Sequence, residues 1–74
     1  MSMIWRTYGT GKAIDLSQVE ATASALEDAE LLEHSSEWRE AARRMLAAEI
    51  IMSEIGTNAE LELPDGTIIY LKED

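Results

Sequence analysis

A chain of 74 residues forms one domain, residues 1–74, and the absence of cysteine with a single histidine excludes disulfides and an ordinary zinc site as its staples. Fifteen Asp and Glu against six Lys and Arg give a net charge of -9, which repels nucleic acid and anionic lipid and attracts basic protein surfaces. A hydrophobic fraction of 46% is too high for a disordered acidic tail.

Met3 to Tyr8 alternates and is rich in β-formers, which predicts a short strand. Gly9-Thr10-Gly11-Lys12 breaks it and predicts a loop. This segment lacks the length and the Ser or Thr after the lysine that a phosphate loop needs.

Ser17-Gln18-Val19-Glu20 has the form of a capping box, so a helix is expected from Ser17 to about Leu32. At ~100° per residue, Val19, Thr22, Ala25, Leu26, Ala29 and Leu32 share one face. Glu20, Ser24, Glu27, Asp28 and Glu30 fall opposite, with Leu31 projected among the acids. His34-Ser35-Ser36 then reads as the interruption, His34 as a linker residue and Ser36 as the cap of a second helix. That helix is expected to reach Ile55 and stop at Gly56. Its main apolar face is Trp38, Ala41, Ala42, Met45, Ala48, Met52 and Ile55. Leu46 and Ile50 form a separate strip flanked by Arg39 and Arg43, and Glu40 can pair with Arg44 at i, i+4.

Ala59–Leu63 and Thr67–Lys72 read as a hairpin around Leu63-Pro64-Asp65-Gly66, a type I turn sequence. A three-residue loop puts Leu63 opposite Thr67, Leu61 opposite Ile69 and Ala59 opposite Leu71 on one side. Glu60, Glu62, Ile68 and Tyr70 form the other. A lone hairpin is marginal, so the first strand is expected to join it. The predicted fold is α+β: a small β-α-α-β-β domain whose three-stranded antiparallel sheet is packed by two helices.

Charge is segregated along this order. Residues 15–37 carry seven acids and no Lys or Arg, whereas Arg39, Arg43 and Arg44 cluster just beyond. The acids project outward from a helix, as solvated carboxylates do, rather than inward as in a di-metal bundle. A serine nucleophile would need a base, and the chain has one His and only Lys12 and Lys72. No catalytic residue, metal site or cofactor is therefore expected, and the chain does not read as an enzyme.

In size and acidity the chain resembles small inhibitor, immunity and phage-encoded anti-defence proteins, a likeness of composition that covers no motif. It implies a non-enzymatic protein that binds and inhibits or modulates a basic protein partner, a nucleic-acid-binding protein being one such. The contact set expected for such a partner is Glu20, Glu27, Asp28, Glu30 and Leu31. The alternative is a homo-oligomer, a dimer or higher, that sequesters a small anionic ligand such as a nucleotide. Its expected interface is Trp5, Tyr8, Lys12, Arg39, Arg43, Arg44, Leu46, Ile50, Ile68 and Tyr70, with stacking and phosphate contacts between subunits. No apolar run approaches the ~20 residues of a membrane span, and the start lacks signal-peptide character, so a cytoplasmic location is expected.

Overall fold

The computed structural model describes residues 3–55 and 59–73, the side chains of residues 52–55 excepted. The alternating segment forms β1 (Met3–Thr7), with Trp5 buried at its centre. The glycines that follow close a turn. Gly9 and Gly11 take φ of 90° and 68°, and the chain returns as β2 (Ala13–Ile14). Thr7 N–H donates to the Lys12 carbonyl at 2.8 Å, and Ile14 stands opposite Trp5. The sheet thus has four strands, not three. Two residues are too few for alternation to reveal a strand in the sequence.

The first helix, α1 (Leu16–Asp28), is capped two residues before the predicted cap. Asp15 is the N-cap, accepting from Gln18 N–H at 3.0 Å, while Gln18 Oε1 accepts from Asp15 N–H at 2.8 Å. Ser17, the expected cap, instead donates its hydroxyl to Asp15 Oδ1 at 2.6 Å. Both boxes fit the sequence rule. The Asp15 box prevails because it places Leu16 in the first turn, on the same face as Val19, Ala23 and Leu26. The buried stripe is therefore rotated from the expected one, and Ala25, Ala29 and Leu32 are exposed.

The break between helices also moves. Leu31 N–H donates to the Leu26 carbonyl at 2.9 Å and Glu30 N–H to the Glu27 carbonyl at 3.0 Å. With Glu30 at φ 64°, this is a Schellman stop. The second helix, α2 (Leu32–Ile55), takes in His34, Ser35 and Ser36, so Ser36 is not its cap and His34 is not a linker. Ser35 is buried, and its hydroxyl donates to the Ala23 carbonyl of α1 at 2.9 Å. The expected stop at Gly56, and the core places of Met52 and Ile55, lie outside what is described.

The second hairpin, β3 (Ala59–Glu62) and β4 (Ile68–Glu73), has the predicted register: Leu61 faces Ile69 and Ala59 faces Leu71. Leu63 N–H donates to the Thr67 carbonyl at 2.8 Å, and Gly66 takes φ 91°. The order β2-β1-β4-β3 is antiparallel throughout, with Trp5 opposite Leu71. Both helices lie to one side of this sheet. Ala41, Ala42 and Met45 of α2 join Trp5, Val19, Leu63, Ile69 and Leu71 in one buried cluster. Trp5 Nε1 donates to Glu49 of α2 at 2.9 Å, which fixes the helix against the first strand.

Candidate functional site

Because α2 starts beside the tight β3–β4 turn and runs back across the sheet, its first half and that turn border a cleft. Ala41, Leu63 and Pro64 contribute its apolar part, Glu37 and Glu40 its carboxylates, and Glu62 borders it. Arg44 is the cation lining it, and the volume is ≈ 540 Å³. Glu40 is already engaged by both neighbours: Arg43 Nη2 lies 2.9 Å from its carboxylate and Arg44 Nε 3.7 Å. Glu37 and Glu62 have no ion-pair partner among the described residues. Strand alternation turns the Glu62 side chain to the outer face beside Ile68, so the cleft offers one uncommitted carboxylate, Glu37, over an apolar surface. An Arg or Lys side chain has that chemistry in reverse, a cationic head on an aliphatic stem.

The expected partner-binding set is divided by the fold. Glu27 is committed to Arg39, whose Nη2 lies 2.5 Å from its carboxylate. Glu20 lines a hollow between the helices together with Arg39, Arg43 and Leu46. Asp28, Glu30 and Leu31 sit instead at the α1–α2 corner. There Leu31 and Leu32 are exposed, 47% and 65%, beside Glu33. The acidic run and the arginine cluster are thus neighbours across one helical hairpin, not opposed surfaces.

The second expected set is also dispersed. Trp5 is 2% exposed and belongs to the core, so it offers no stacking face. Strand alternation turns Tyr70 away from the buried side, and its ring packs on Tyr8 at 4.8 Å between centroids. Ile68 is half-buried on the same outer face. A hollow of ≈ 320 Å³ there is lined by Tyr8, Glu60, Tyr70 and Lys72. A hydrogen bond to Glu60, reinforced by its charge, holds the Tyr8 hydroxyl above its usual pKa and keeps it protonated. Lys12 is exposed at the β1–β2 turn. Arg39, Arg43 and Arg44 are on α2, across the sheet from the tyrosines, each in contact with a carboxylate. Leu46 and Ile50 are 49% and 56% exposed.

The cleft at Glu37, Glu40 and Glu62 escaped sequence reasoning because its walls are far apart in the chain. The available signal was the turn: the Pro-Asp-Gly hairpin brings Leu63 and Pro64 together at the end of the sheet that a covering helix must pass. Among the described residues no cluster of three or more metal-ligand side chains occurs, and no helix is long and apolar enough to cross a membrane. Comparison of the chain with protein-family models, curated proteins and solved structures gives no match.

Proposed function

We propose that the protein is a non-enzymatic binding module that docks on a basic protein surface and inhibits or modulates its owner, in the manner of small inhibitor and immunity proteins. The observation that carries this reading is the cleft between α2 and the β3–β4 turn, where the unpaired Glu37 stands beside apolar Ala41, Leu63 and Pro64. One Arg or Lys side chain of the partner enters there, its stem on the apolar part and its head at the Glu37 carboxylate. The exposed Leu31 and Leu32 at the acidic corner supply a second contact on the same chain. Net charge of -9 steers such a partner and makes association sensitive to salt.

The test uses labelled Arg-rich and Lys-rich peptides of equal length, with a Glu-rich control, followed by fluorescence anisotropy. Both basic peptides are expected to bind and the control is not. Glu37→Gln is expected to weaken binding about fivefold, because a charge-assisted contact is lost. Failure of the basic peptides to bind, or an unchanged affinity in this variant, would overturn the assignment of the cleft.

A further inference from the structure

The outer side of the α1–α2 hairpin carries its charges in matched rows. One row has Glu27 on α1 and Arg39 on α2, joined as an ion pair. The next has Glu20 on α1 and Arg43 on α2, which line the same hollow. Leu46 and Ile50 continue along the same edge of α2, half-exposed at 49% and 56%. The edge is left open for a geometric reason. The 13 residues of α1 span about 20 Å and the 24 of α2 about 36 Å, so α2 outruns its neighbour.

From these rows we infer that the outer face of the helical hairpin is a docking surface for a second copy of this chain. A two-fold axis lying in that face and parallel to the helices places α1 of one copy over α2 of the other. Because each row has its acid on α1 and its arginine on α2, every row then meets its complement. Glu20 faces Arg43 of the second copy, Glu27 faces Arg39, and the result is an antiparallel four-helix layer with a sheet on each outside. The same patch on both copies satisfies itself, as an isologous interface requires. Leu46 continues the seam at one end of these charged rows, where it meets the start of α1 of the second copy, so apolar contact adjoins the charged part as interfaces commonly show.

Area favours a partner of this kind. A monomer of 8.2 kDa ordinarily exposes about 4,500 Å². This chain exposes 5020 Å². The excess, about 500 Å², is surface a second copy can cover, against the ~800 Å² that each partner commonly buries in a stable interface. The radius of gyration, 12.5 Å, likewise exceeds the ~11 Å of a compact chain this long.

The experiment is sedimentation equilibrium on the full chain, from low micromolar to near-millimolar concentration, with circular dichroism to establish folding. The wild type is expected to reach twice the chain mass. Glu20→Arg alone and Arg43→Glu alone each oppose like charges at two symmetry-related places, and each is expected to weaken dimerisation about tenfold. An equimolar mixture of the two variants restores complementary rows and is expected to regain the wild-type mass. Should a charge reversal unfold the chain, Leu46→Gln supplies a folded variant of reduced association. A wild type that stays monomeric throughout overturns the inference. So does a dimer that ignores the reversals, or variants that fail to recover on mixing.

Discussion

Glu30 adopts φ 64°, a region where a side chain costs energy and glycine does not. The Schellman hydrogen bonds at Glu30 and Leu31 require that geometry at the position after the cap. Replacing Glu30 with Gly keeps the bonds and removes the clash of its Cβ. It also makes the unfolded chain more flexible, which acts the other way. The steric term is the larger, so Glu30→Gly is expected to stabilise the fold by about 1 kcal/mol, measured by urea denaturation at low protein concentration. A loss of stability would mean that the Glu30 side chain contributes contacts worth more than the strain. This residue also explains a misplaced boundary. With no glycine at position 30, nothing in the sequence marks the stop, and a pattern search runs on to Leu32.

At the scale of the elements, strands with clear alternation and a strong turn were legible, and short or doubly capped ones were not. The β3–β4 register follows from Pro64 and Gly66, which leave one loop length. For α1, Asp15 and Ser17 offered competing boxes, and the choice depended on whether Leu16 could reach the core, which local sequence does not encode. The chosen cap has a measurable consequence. Hydrogen bonds from the Ser17 hydroxyl and the Gln18 N–H hold the Asp15 carboxyl below the usual carboxylate range. A lowered folded pKa means that the ionised form stabilises the helix above the unfolded value, and that this contribution vanishes as pH falls through the folded one. Asp15→Ala is therefore expected to lower Tm by roughly 5 °C at neutral pH. The gap between variant and wild type should close as pH drops below the ordinary carboxylate range. A gap that persisted in acid would assign the loss to something other than the charged cap.

For the whole molecule, the segregation of charge along the chain suggested two separate surfaces, and the fold joins them. The hairpin turn at residues 29–31 brings Arg39 back to Glu27, a pairing invisible until the turn is placed. Cations and acids then coexist on α2, yet the balance stays at -9. Salt tests which effect governs stability. The three ion pairs among the described residues are exposed, with side chains 42% to 67% accessible, and such pairs contribute at most about 1 kcal/mol each. Against them stands mutual repulsion among fifteen acids within a body 38 Å long. At ~10 mM salt the Debye length is about 30 Å, so nearly all of these charges feel one another, whereas at ~1 M it is about 3 Å. Repulsion wins, and Tm in dilute protein is expected to rise by roughly 5 °C as sodium chloride goes from ~10 to ~500 mM. A fall in Tm would show that the ion pairs matter more than the net charge. The same salt that stabilises the fold should weaken capture of a basic peptide, since both effects come from screening one excess of negative charge. Opposite signs in the two measurements separate loss of steering from loss of structure. If binding and Tm fell together, unfolding would explain the loss of binding, and the acidic surface would have no part in recognition.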